Sequence, residues 1–230
     1  MKNKTRTSST SVCPKCEGAG YVLTDSGAIP CDCQKEAQFD TACRLARIPR
    51  KFLTKSLENF ITKSAKQREV LHSTRAFLQT FGKDDRSKGL LLIGREGTGK
   101  THVAISVLKE VLRRGFTGLY WNVPELFLEL RRIIADPGST SEADVFDEAR
   151  RVDLLVLDDL GAERQSDYVT DRLYVLINGR YENDTATIIT TNRTRDELKT
   201  QLGPRILSRI GEMTVDVEFP EGDYRIQHLR

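Results

Sequence analysis

Gly94-Arg95-Glu96-Gly97-Thr98-Gly99-Lys100-Thr101 fits G-x-x-x-x-G-K-[ST], the loop that wraps the phosphates of a bound nucleotide. Glycines at positions 94, 97 and 99 let the backbone curl until its N–H groups converge on phosphate oxygens. Lys100 offers a point charge to the β- and γ-phosphates of ATP, and the Thr101 hydroxyl suits magnesium. A helix starting near Gly99 turns the positive end of its dipole toward the same anion. Glu96, Thr98 and His102 complete the stretch expected to line the nucleotide.

The flanks give this loop its required setting. Gly89-Leu90-Leu91-Leu92-Ile93 before it reads as a buried parallel strand. Val103, Ile105, Val107, Leu108, Val111 and Leu112 after it recur at helical spacing. Further along, the same alternation of strand and helix continues. Strands are expected at 118–121, 154–157, 186–191 and 213–219. Helices are expected at 64–82, from Pro124, at 141–151 with Ser141 or Thr140 as cap, at about 166–182, at 195–202 and at 204–213. Strands separated by helices imply an α/β fold, a parallel sheet with both faces covered.

A phosphate loop needs an acidic partner for its metal. Leu154-Leu155-Val156-Leu157-Asp158-Asp159 supplies one at the end of an apolar strand. Asp158 is placed to hold magnesium, directly or through water, and Asp159 to orient and deprotonate the attacking water. Many such enzymes carry Glu at the second position, so Asp159 is expected to need a closer approach. Asn192, after Thr190-Thr191, is the next polar group able to reach the γ-phosphate or the water; a strand-end Asn could equally be a turn residue, and its position in the ordered series favours the functional reading. Arg205 and Arg209 lie four apart on one helix face, as a solvated pair or as a contribution to a neighbouring subunit's site.

The N-terminal part reads differently. Residues 1–12 are small and polar, as in a disordered lead-in. Cys13-Pro14-Lys15-Cys16 and Cys31-Asp32-Cys33 then form C-x2-C-x14-C-x-C. Two close pairs of thiolates can close a tetrahedral shell around zinc, and so short a segment needs such a staple. Disulfides are the alternative; an intracellular chain with five cysteines argues against them. No histidine lies near, so a catalytic zinc with an open position is not expected, and Cys43, outside the pattern, reads as an ordinary buried or spare thiol.

Composition limits the class further. The formal net charge of +3 is uneven: residues 1–60 hold 10 Lys/Arg against 6 Asp/Glu, and the remaining 26 and 27 nearly cancel. This suits an acidic partner or nucleic acid without requiring either. No apolar run approaches the ~20 residues of a membrane span, and no secretory signal opens the chain, so no membrane partner and a cytoplasmic location are expected.

The ordered set Gly94–Thr101, Leu154–Asp159, Thr190-Thr191-Asn192 and Gly203–Arg209 resembles the AAA+ ATPases, within them the DnaC/DnaI/IstB branch. Gly99-Lys100-Thr101-His102, Asp158-Asp159-Leu160-Gly161, Asn178-Gly179-Arg180-Tyr181 and Gly222-Asp223-Tyr224-Arg225 carry the likeness, with Ile48–Phe52 and Leu57–Phe60 as lead-in. The resemblance implies that the Asn192 strand lies between the phosphate-loop strand and the Asp158 strand. It implies that Asn192 is the sensor, that Arg209 is an arginine finger acting in trans, and that Arg225 partly replaces a second sensor. It also implies that Arg131 and Arg132 face single-stranded DNA. No C-terminal helical lid is expected. The domains expected are a zinc-binding adapter at 13–47 and the ATPase at 48–230. The cysteine pairs favour the helicase loaders of the branch. The expected function is therefore ATP-dependent loading of the hexameric replicative helicase onto single-stranded DNA, with self-association through the ATP sites. An IstB-like transposase assistant and a nucleotide-gated adapter with vestigial hydrolysis are the alternatives.

Overall fold

The computed structural model describes residues 13–25, 27–83, 88–136, 138 and 140–222. The expected lead-in at 1–12 and Arg225 lie outside the described residues. The chain divides into two compact units between Ala42 and Cys43.

In the first unit, β1 (Tyr21–Thr24) and β2 (Gly27–Pro30) form an antiparallel hairpin, with Tyr21 opposite Pro30 and Thr24 opposite Gly27. The Thr24 hydroxyl donates to the Gly27 carbonyl at 2.8 Å, and Gly27 takes φ 119°, closing the turn. Helix α1 (Asp32–Leu45) follows, its acidic Asp32 in the first turn. Among the described residues up to Ala42, only Cys16 and Cys31 are buried.

The second unit is a sheet sandwiched by helices. In chain order it holds α2 (Ala65–Thr80), β3 (Gly89–Ile93), α3 (Lys100–Arg113), β4 (Gly118–Asn122), α4 (Val123–Ala135) and α5 (Glu142–Arg151). These are followed by β5 (Leu154–Asp158), α6 (Asp167–Glu182), β6 (Ala186–Thr191), α7 (Arg195–Leu202), α8 (Pro204–Met213) and β7 (Thr214–Glu218). Local chemistry sets the ends. Ser64, Ser141 and Thr194 each accept from the N–H three residues on while the side chain at that position returns the bond, so three helices start on reciprocal caps. Of the two caps expected for α5, Ser141 is the one used.

The five strands run parallel in the order β4-β5-β6-β3-β7. The Asn192 strand thus lies between the phosphate-loop strand and the Asp158 strand. Leu91, Leu119, Trp121, Leu155, Leu157 and Ile189 face α4 through α8 in one continuous core. Alternate residues such as Leu90, Leu92, Val156 and Ile188 are equally buried on the other face, where α3 packs. Gly89 is required by close approach: a Cβ there would come within 1.8 Å of the Thr187 carbonyl oxygen.

One buried cation locks this unit. Arg180, 1% exposed, donates to the carbonyls of Ala149, Arg150, Val152 and Ala186 and to the Thr187 hydroxyl. It satisfies the last carbonyls of α5 and the first of β6 together. Burial pushes its pKa down to about 9, still far enough up to keep it charged near neutrality.

Candidate nucleotide site and cysteine cluster

Parallel pairing aligns the C-terminal ends of β3, β5 and β6, with Ile93 level with Thr191 and Asn122 level with Asp158. The loops leaving those ends line a cleft of about 590 Å³, in the range of ligand sites. Glu96 through Thr101 line it on one side. Gly97 and Gly99 take positive φ, 75° and 99°, and Gly99 caps α3 without a side-chain bond. The N-terminal end of α3, where the helix dipole is positive, therefore borders the cleft.

Lys100 is 5% exposed and its ammonium donates to the carbonyls of Gly94 (2.7 Å) and Arg95 (2.8 Å) and to Oδ1 of Asn192 (2.5 Å). The loop, its lysine and the end of β6 are one bonded unit. Asp158, 2% exposed, accepts at Oδ1 from the hydroxyls of Thr101 and Thr190, both at 2.8 Å. Its Oδ2 accepts from the Tyr120 hydroxyl at 2.8 Å. Burial first, then the adjacent carboxylates, push the Tyr120 pKa up, so this phenol remains a donor. A buried carboxylate beside a threonine hydroxyl at the phosphate loop is a donor set fitting a hydrated magnesium ion.

Asp159 is half-buried and left-handed, φ 60°. Its N–H donates to the Thr190 hydroxyl at 3.0 Å, and its Oδ2 accepts from the Asn122 amide at 3.3 Å. Aspartate enters this backbone region far more readily than longer side chains. That gives a local reason for Asp where a longer Glu was the usual expectation.

His102 and Glu96 both line the cleft, Glu96 being exposed. His102 also serves the scaffold: its Nε2 lies 2.8 Å from the Ser56 carbonyl oxygen and its ring meets Phe60 edge-on. Burial pushes its pKa down. Opposite the phosphate loop stand Lys51, Phe52, Lys55, Asn59, Phe60 and Ile61. Residue periodicity gave no hint of that wall, nor of Tyr120 and Asn122, which reach the two aspartates only through the pairing of β4 with β5.

Arg209, on α8, packs against α6 of the same chain. Its Nε donates to Asn178 Oδ1 at 2.5 Å, a terminal nitrogen donates to the Tyr174 hydroxyl at 3.1 Å, and its guanidinium stands over the Tyr174 ring. Arg205 is exposed and offers its carbonyl to Arg209. Arg131 and Arg132 are exposed on α4, Arg132 within 3.6 Å of Glu129.

In the first unit the sulfurs of Cys13, Cys16, Cys31 and Cys33 all lie within 4.8 Å of one another. Cys13–Cys31 is 3.9 Å and Cys16–Cys33 is 3.5 Å. Sulfurs about 2.3 Å from a tetrahedral zinc would stand roughly 3.8 Å apart, so the cluster fits that ion. The Gly20 N–H points at Cys16 Sγ from 3.4 Å and draws that thiol's pKa down, a contact that favours the thiolate form a metal ligand takes.

With this geometry in hand, comparison with known proteins is direct. The model of the IstB-like ATP binding proteins matches residues 32–228. The chain belongs to that family. Its fold is that of the AAA+ ATPases, in the branch that also holds DnaC and DnaI. Over 155 residues it is 28% identical to the replicative helicase loader DnaC of Escherichia coli strain K12, a stretch covering 67% of this chain and 62% of DnaC. The chain therefore spans under two thirds of that relative's length. The crystal structure of the DnaC helicase loader superposes with a TM-score of 0.68 at 28% identity, over 75% of this chain and 100% of that one. The structure of DnaI gives 0.67 at 26% identity, over 76% and 93%. Among the described residues no helix is long and apolar enough to cross a membrane.

Proposed function

We propose that this protein is an ATP-dependent loader of a hexameric replicative helicase onto single-stranded DNA. The observation that carries the reading is the pairing of a phosphate loop bonded to Asn192 and facing Asp158 with a separate four-cysteine unit. The likeness to DnaC supports it.

In this reading residues 13–47 are the adapter and 48–230 the ATPase. Lys100 leaves its two carbonyls to neutralise the β- and γ-phosphates of ATP, and Asn192 follows the γ-phosphate as Lys100 moves. Thr101 and Asp158 hold magnesium, which supplies charge neutralisation when bound. Asp159 accepts a proton from the attacking water once it leaves Asn122. Arg209 gives up Asn178 and Tyr174 to reach a neighbouring subunit's nucleotide, so turnover depends on self-association. Arg131 and Arg132 contact phosphates of single-stranded DNA. Cys13, Cys16, Cys31 and Cys33 ligate zinc and shape the surface that meets the helicase.

The second reading is that of an IstB-like assistant of a transposase, and membership of the IstB-like ATP binding family is compatible with it. Affinity capture with this chain as bait, in ATP and in ADP, separates the two. Retention of a hexameric helicase in ATP, lost when residues 1–47 are removed, is expected. Retention of a transposase and no helicase would overturn the loader reading.

A further inference from the structure

Helix α3 contributes to the cleft twice. Its N-terminus makes the phosphate cradle. Farther along, His102 and Lys109, seven residues apart and so on one face, grip the backbone of residues 53–56. Lys109 is 3% exposed, yet its ammonium touches the carbonyls of Leu53 and, at 2.7 Å, Lys55. His102 takes the next carbonyl, that of Ser56. Burial pushes the Lys109 pKa down, and Arg113 adds to the shift. A buried ammonium is expensive where a methionine would fill the same space. Here it is spent on main-chain oxygens that apolar packing cannot hold.

Those oxygens belong to the segment that lines the cleft together with Lys100 and Asp159. The gripped segment continues into Asn59, Phe60 and Ile61, with Phe52 just before it, all lining the cleft. The segment is braced internally as well: Ser56 N–H donates to Asn59 Oδ1 at 3.0 Å and Asn59 Nδ2 to the Thr54 carbonyl at 2.7 Å. Phe60 rests on the phosphate loop so closely that a Cβ on Gly99 would lie 2.8 Å from its ring. The wall is thus seated on α3 at one end and on the loop at the other.

We infer that Lys109 is a positioning residue for nucleotide recognition, holding the 51–61 wall where it closes on the base and sugar. The triphosphate tail is bound by groups Lys109 does not touch. The inference rests on the ATP-binding reading above, and the test separates the two. Calorimetry on the full chain would compare ATP with inorganic tripolyphosphate for the natural protein, Lys109→Met and Lys109→Arg. The expected result for Lys109→Met is an ATP affinity lowered about tenfold with tripolyphosphate affinity within about twofold, and partial recovery in Lys109→Arg. Equal loss for both ligands, or no loss for either, would overturn the inference. Failure of the natural protein to bind either ligand would sink the ATP reading itself. Hydrogen exchange of the natural chain needs no variant: ATP should protect residues 53–61 and tripolyphosphate should not. Equal protection by both ligands would also overturn the assignment.

Discussion

The two units solve the problem of stability in opposite ways. From Cys43 onward, a parallel sheet buries apolar side chains on both faces, and charged groups such as Arg180 and Asp158 enter the interior against bonded partners. Up to Ala42, the described residues bury two side chains, and both are cysteines. Tyr21, Leu23 and Ile29 of the hairpin stay exposed. One unit is held by area, the other by four sulfurs that converge on a point. The difference teaches where function is carried by geometry fixed in advance, and where, with so little buried, four sulfurs whose spacing fits an ion stand in place of a core.

The largest test of that contrast is metal removal. A strong chelator, or Cys31→Ser, should abolish the hairpin's dispersed amide signals, since structural zinc is worth on the order of 10 kcal/mol. The unfolding midpoint of the second unit should stay put. Hairpin signals that survive chelation would mean the first unit has a core of another kind. Next comes Arg180→Met, which strips donors from four carbonyls and a hydroxyl. Denaturant titration should show the second unit weakened by about 3 kcal/mol or more, with zinc content unchanged. A loss below about 0.5 kcal/mol would show that the lock is decorative.

Lys100→Ala is expected to lower ATP affinity about 100-fold, near 2.7 kcal/mol, measured by fluorescence of a labelled nucleotide. An unchanged affinity would mean the phosphate loop is misread. The smallest effect belongs to Tyr120→Phe, which keeps the ring and removes one donor from Asp158. The magnesium concentration that half-saturates the tightening of ATP binding should rise about fivefold, roughly 1 kcal/mol. A magnesium requirement that does not move would leave Tyr120 a packing residue.

Much of this was legible because the signals are local. Apolar runs such as Leu154–Leu157 and paired caps such as Thr194 with Glu197 depend on neighbours in sequence, so helix and strand ends fell within about two residues of expectation. The cysteine cluster was legible for the same reason: spacing alone limits where four sulfurs can meet. Sheet order came from resemblance, since periodicity does not say which strand lies beside which. Tyr120, Asn122 and Lys109 were invisible because each acts on a partner 37 to 56 residues away. Tyr120 reads as an ordinary strand aromatic, and Lys109 as a solvated lysine on a helix, until the long-range pairing is known. His102 belongs with them: its place in the loop motif points to the nucleotide, while its ring nitrogen reaches the Ser56 carbonyl.

The central claim is that ATP held by the second unit governs delivery of a helicase. The most direct measurement combines this chain, the purified hexameric helicase of the same cell and circular single-stranded DNA, and counts helicase rings retained on the circle. Loading should require this chain and ATP, fail with Lys100→Ala, and fail after chelation of the first unit. Equal loading with ADP, or without the chain, would contradict the account.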